Sequence, residues 1–188
     1  MRLFVALNLP PEERRAIREA VSPLMALEAP VKWVAEDNLH ITLRFLGERA
    51  EADAGAIGVA LERAVSEVRS FDVSLGGLGG FPDLDEPRVI WIGVERHPAL
   101  ELLANDVERM LHGFGFEPEL RPFQPHLTIG RARKDAGRRD LEAIEQAATD
   151  VSYSGLLEVS AVDLMASSMG KGGSHYRVVH HAPLRDVT

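Results

Sequence analysis

His40-Ile41-Thr42-Leu43 and His126-Leu127-Thr128-Ile129 spell one pattern twice, at an offset of 86 residues. On a β-strand, residues i and i+2 share a face, so each histidine points the same way as its threonine while the two apolar residues point the other way. The pattern asks for a strand with a polar pair on an open surface and aliphatic anchors in a core. A single match describes a half-buried histidine beside a β-favouring threonine. The doubling is harder to produce by accident, because the chain holds only four threonines and two of them stand two places after a histidine.

The same offset recurs elsewhere. Arg2–Leu7 falls on Arg88–Gly93, Asp72-Val-Ser-Leu75 on Glu158-Val-Ser-Ala161, and Leu78 on Leu164. Helical stretches at 11–28 and 98–113 precede the two motifs, and others at 51–69 and 135–148 follow them. Strand, helix, motif strand, helix, strand is thus used twice, which reads as duplication within one domain, not an array. The motif strands are 40–46 and 126–131. The acidic connector 82–87 reads as the seam between the halves. Pro23 predicts an end or a kink in the first helix. Pro122 and Pro125 predict that the second motif strand lies at a sheet edge. Phe71–Phe81, with four glycines, reads as a bulged strand. The run Gly170–Ser174 lacks phosphate-loop spacing and reads as a hairpin tip that could reach the cleft.

Composition narrows the function. No apolar run reaches membrane-spanning length, and the apolar start, Leu3–Leu9, runs directly into Pro10-Pro11; cytoplasm is the expected compartment. The absence of cysteine excludes disulfides, zinc–thiolate sites and a cysteine nucleophile. The net charge of −8 disfavours a long nucleic-acid groove and leaves room for one phosphate at a local positive site.

Two histidines facing each other across a cleft suit metal-free opening of a phosphodiester. In-line attack needs a base beside the entering oxygen and an acid beside the leaving one, and imidazole titrates near pH 6.5, so neutral and protonated copies coexist. Nothing in the spacing says which histidine is the acid. Thr42 and Thr128 supply short, stiff donors for non-bridging phosphate oxygens. Arg44 shares a face with Thr42 by i+2 spacing and is a candidate substrate contact. Arg131 has the wrong parity and reaches the cleft only if the strand bulges at Gly130. His97 and His112 sit at helix ends, and His180 and His181 in a terminal strand. His175 and Tyr176 follow the glycine run and are candidate contacts. Trp33 and Trp91 read as core or cleft wall. His-x-Thr gives one metal ligand per motif, with no carboxylate spaced to complete a set, so no metal and no cofactor are expected.

The stretches Met1–Leu7, Asn38-Leu-His-Ile-Thr-Leu-Arg-Phe-Leu-Gly47, Gly79-Gly-Phe-Pro82, Arg88–Trp91, Arg121-Pro-Phe-Gln-Pro-His-Leu-Thr-Ile-Gly-Arg131 and Gly170–Tyr176 together resemble the two-histidine phosphoesterase superfamily. Within it the chain is most similar to RNA 2′,3′-cyclic phosphodiesterases, also called 2′-5′ RNA ligases (LigT-like). The resemblance implies an α+β, bilobal, pseudo-two-fold fold with antiparallel sheets lining a central cleft and helices outside. It implies hydrolysis of an RNA 2′,3′-cyclic phosphate to a 2′-phosphomonoester. His40 would donate the proton to the leaving oxygen and His126 would activate water. Thr42, Thr128 and Arg131 would hold the phosphate, and Phe4 would border base or ribose. The implied partners are RNA ends bearing a cyclic phosphate or small cyclic nucleotides, met by a monomer. Two alternatives stand beside this reading: 2′-5′ joining or another small cyclic phosphate as substrate, and a non-catalytic RNA-end binding module.

Overall fold

The first strand, β1 (Arg2–Asn8), is buried from Leu3 through Leu7, as a strand covered on both faces must be. Leu3, Val5 and Leu7 enter the main core. Phe4 and Ala6, on the other face, join a smaller cluster with Met165 and Tyr176. One strand thus separates the large core from an aromatic patch. The computed structural model describes residues 1–170 and 173–186.

The remaining elements in chain order are α1 (Pro11–Met25), β2 (Val31–Trp33), a 3₁₀ turn (Glu36–Asn38), β3 (His40–Glu48), α2 (Glu51–Val65), β4 (Phe71–Phe81), β5 (Val89–Val94), α3 (Pro98–His112), β6 (His126–Ala132), α4 (Arg138–Ala148), β7 (Ser154–Val159), β8 (Ala161–Gly170) and β9 (Gly173–Pro183). Mixed α and β structure with an antiparallel sheet is the expected class. The four helices fall inside the four helical stretches read from the sequence. Pro11 starts α1, where a missing N–H costs nothing. Pro23 neither ends the helix there nor leaves a carbonyl bare: α1 runs to Met25, and the Ser22 hydroxyl donates to the Glu19 carbonyl that Pro23 cannot serve (2.8 Å). His97 caps α3 by accepting the Ala99 N–H at 3.2 Å.

The strands form one sheet in the order β7-β4-β5-β6-β3-β1-β8-β9, with β2 pairing β6 outside this path. Two expectations fail here. β6 is central, between β5 and β3, because Pro122 and Pro125 precede its first residue and never enter the ladder. The connector 82–87 is no seam in space: it links β4 to β5, antiparallel neighbours. The sequence halves exchange strands, since β4 lies beside β5 and β8, from the second half, lies beside β1.

The motif strands meet at one registered pair, Ile41 with Leu127. Both side chains are fully buried in the main core. Each anchors its strand from below while the neighbouring histidine and threonine face away. Ile41→Ala and Leu127→Ala are each expected to cost about 2–5 kcal/mol. The double variant should cost less than their sum, because the two share one junction. Urea denaturation checks this; near-neutral single variants would remove the junction from the load the core carries.

Candidate active site

Both histidines are oriented the same way. His40 Nδ1 lies 2.7 Å from the Asn38 carbonyl, and His126 Nδ1 lies 2.7 Å from the Gln124 carbonyl. A carbonyl only accepts, so each Nδ1 carries the proton and each neutral ring keeps its lone pair on Nε2. The two accepting carbonyls, of Asn38 and Gln124, obey the same offset as the motifs. His40 Nε2 sits 3.0 Å from the Thr42 hydroxyl, which can donate to the neutral ring or accept from the charged one.

Each motif strand then carries an extra residue at the equivalent place, and β3 carries a second, Leu46, nearer its end. In β3, Ala6 pairs with Thr42 but Val5 pairs with Arg44, leaving Leu43 unpaired. In β6, Trp91 pairs with Thr128 but Ile90 pairs with Gly130, leaving Ile129 unpaired. The two bulges occupy equivalent places in the repeat, and each inverts the alternation that follows. In β6 the bulge turns Arg131 into the cleft, as its parity required. In β3 it takes Arg44 off the face that i+2 spacing shares with Thr42, although Arg44 still lines the space beside His126. Arg44 pairs with Val5, whose side chain is in the main core, and cross-strand partners share a face. Phe45 takes the cleft position instead, opposite Phe4. The guanidinium of Arg44 is spent on Glu108, Glu119 and the Glu117 carbonyl.

Two cavities meet at this point. One, of about 410 Å³, is lined by His40, Phe4, Phe45 and Tyr176. The other, of about 830 Å³, is lined by His126, Phe81 and the segment 119–124. Thr42, Thr128, Phe45 and Arg131 line both. The threonines and one arginine therefore stand between the two imidazoles. Phe4 and Tyr176 pack on His40 at ring-centroid distances of 5.0 and 5.3 Å. Phe81 stands edge-on to His126 at 5.0 Å.

Sequence reasoning missed Phe45, Phe81 and the two orienting carbonyls. Phe45 had a readable signal, because it is the repeat equivalent of Arg131. Phe81 had no signal in periodicity or spacing, only its place in the matching stretch Gly79-Gly-Phe-Pro82, since the strand exchange brings β4 to the second motif. His175 does not line either cavity and lies against Gly170. Lys171 and Gly172 of the glycine run fall outside the described residues. Trp91 packs against Phe81 and over Gly79, and Trp33 packs on the main core over Gly130; neither lines the two cavities. His181 donates through Nδ1 to the buried Asp163 (2.7 Å), whose other oxygen takes the Asn8 amide (2.7 Å). Among the described residues, no group of three or more metal-ligating side chains converges, and no helix is long and apolar enough to cross a membrane.

Burial pushes the His40 pKa below 6.5; the Asn38 carbonyl opposes this, while the charges of Arg131, Arg14 and His126 reinforce it. Arg14 is held close by its bond to the Asp37 carbonyl (3.1 Å).

The profile of the 2′-5′ RNA ligase superfamily matches residues 9–170. The chain belongs to that superfamily. It is 38% identical over 154 residues to the RNA 2′,3′-cyclic phosphodiesterase of Aeropyrum pernix, covering 80% of this chain and 85% of that one. The RNA 2′,3′-cyclic phosphodiesterase of Thermotoga maritima is 33% identical over 184 residues, covering 96% and 94%. Among solved structures, Escherichia coli LigT complexed with NADP+ superposes with a TM-score of 0.76 at 31% identity, covering 98% of this chain and 97% of LigT. The TT0787 protein of Thermus thermophilus gives 0.81 at 28% identity over the whole of both chains.

In the free protein the His40 imidazole is expected to titrate below pH 6.5, read by NMR of the ring carbons. The sign follows for stability. The unfolded chain takes this proton first, so the neutral ring's contribution is present above about pH 6.5 and is lost as pH falls through the folded value. Titration at or above 6.5 would show that the ring is not desolvated.

Proposed function

We propose that this superfamily member hydrolyses the 2′,3′-cyclic phosphate at an RNA end to a 2′-phosphomonoester, with His126 as base and His40 as acid. The observation that carries the reading is the pair of identically oriented imidazoles on either side of Thr42, Thr128 and Arg131. His126 Nε2 takes a proton from water as its oxygen bonds to phosphorus. The P–O3′ bond breaks on the opposite side, and His40 Nε2 delivers a proton to the departing oxygen. The two hydroxyls and the Arg131 guanidinium hold the non-bridging oxygens as negative charge builds on them. Phe4 and Tyr176 wall the space beside His40, where the ribose or base of the terminal nucleotide fits.

The acid role draws on the substrate. In the free cleft burial and nearby cations disfavour the His40 imidazolium and lower its pKa. A phosphodiester anion counters Arg131 and Arg14 and restores the proton. The names of the relatives and the crystallisation of E. coli LigT with 3′-AMP and with phosphate support a nucleotide phosphate in such a cleft. In this reading the chain acts as one monomeric, cytoplasmic domain whose two lobes each deliver one motif strand, and small cyclic nucleotides serve as minimal substrates.

A second reading has its own support. The cavity beside His126, about 830 Å³, is far larger than the roughly 30 Å³ share of a water. A nucleoside 5′-hydroxyl could enter there in place of water, which would form a 2′-5′ linkage by the same displacement.

Purified protein incubated in EDTA with an RNA ending in 2′,3′-cyclic phosphate is expected to yield a 2′-phosphate, identified by phosphorus NMR. His40→Ala and His126→Ala should each lower kcat by at least about 10²-fold. Wild-type turnover in either variant would refute its role. Binding without turnover across roughly pH 5–9, the range in which imidazole changes charge, would leave an RNA-end binding module.

A further inference from the structure

We propose that Arg44 is a positioning residue, which holds the irregular segment 117–123 as the wall of the cavity beside His126. Its side chain is only 13% exposed, yet its partners come from two separate parts of the chain. Nε faces Glu108 of α3 at 2.7 Å, Nη1 donates to Glu119 at 2.7 Å, and Nη2 donates to the Glu117 carbonyl at 2.6 Å. The segment from Gly113 to Pro125 contains neither helix nor strand. Its start is fixed by Phe116, buried beneath the Arg49 guanidinium at 4.1 Å. Its end is fixed by Gln124, whose carbonyl orients His126, and by β6. Between these ends, Arg44 supplies the hydrogen bonds that tie Glu117 and Glu119 to the sheet, among the described residues.

The guanidinium fork is needed because two acceptors and the Glu108 carboxylate lie in different directions, and a lysine ammonium on its flexible stem does not reproduce that plane. Truncation removes the hydrogen bonds to Glu117 and Glu119 and the cation that Glu108 and Glu119 share, which frees the segment from the sheet. The wall carries Arg121, Phe123 and Gln124 into the cavity, so its displacement alters the space beside His126 and the carbonyl that orients that ring. Arg44 thus acts through Glu119, not on the phosphate.

The activity readout rests on the hydrolytic reading above, so a second readout is independent of it. Arg44→Met, Glu119→Ala, their combination and Arg44→Lys are compared by kcat/KM on a 2′,3′-cyclic-phosphate RNA and by amide hydrogen exchange in 117–123. Arg44→Met is expected to lower kcat/KM about 10- to 100-fold, the cost of a small misplacement beside a reacting group. Glu119→Ala also lowers it, the double variant is no worse than Arg44→Met, and Arg44→Lys fails to restore it. Exchange in 117–123 quickens in all of them while β1 stays protected. Full activity in Glu119→Ala beside an impaired Arg44→Met would overturn the proposal, since Arg44 would then be acting on substrate directly. Unchanged exchange in Arg44→Met would overturn it too. An inactive wild type would defeat the hydrolytic reading, and exchange would still decide the clamp. If Arg44→Met does not fold, Arg44→Met/Glu108→Gln/Glu119→Gln, which removes the uncompensated carboxylates, carries the same two measurements.

Discussion

One unpaired residue in each motif strand, Leu43 in β3 and Ile129 in β6, governs which side chains the cleft receives. Before the bulge, alternation places His40 and Thr42, or His126 and Thr128, on the open face and Ile41 or Leu127 in the core. After it, the faces trade. Arg131 comes in, Phe45 takes the place beside Phe4, and Arg44 moves to the Val5 face, from which it lines only the cavity beside His126. A single bulge costs a ladder pairing and bends its strand. Two bulges at equivalent places build a cleft that is alike near the histidines and unlike beyond them. Past the bulges, one motif contributes a cation and the other an aromatic ring.

The electrostatics follow from the same arrangement. A chain with a net charge of −8 repels polyanions over most of its surface. Near His40, Arg131 and Arg14 create a local positive site, and burial together with these charges lowers the pKa of the imidazole. This is the condition under which one phosphate can be held by an acidic protein. Arg44, which lines the cavity beside His126, is by contrast paired with two carboxylates.

Much of this was legible in the residues, and the losses have specific causes. The four helices and the motif strands could be read because apolar periodicity and proline or glycine punctuation are local signals. The edge position expected for β6 was wrong because proline bars pairing only where it lies inside a strand. The seam at 82–87 was wrong because turn-rich composition marks a connector without saying whether it joins neighbours or separates domains. Phe81 was out of reach, since its approach to His126 depends on β4 crossing to the other half's strands.

The repeated His-x-Thr settled which four side chains share an open face, for a two-residue period is a property of extended backbone and needs no knowledge of neighbours. It also settled that aliphatic anchors lie beneath them. Where β3 and β6 lie relative to each other, and which arginine enters the cleft, depended on long-range pairing. A bulge exists only against a partner strand, so the parity of Arg44 and Arg131 has no meaning until β1 and β5 are in register beside them.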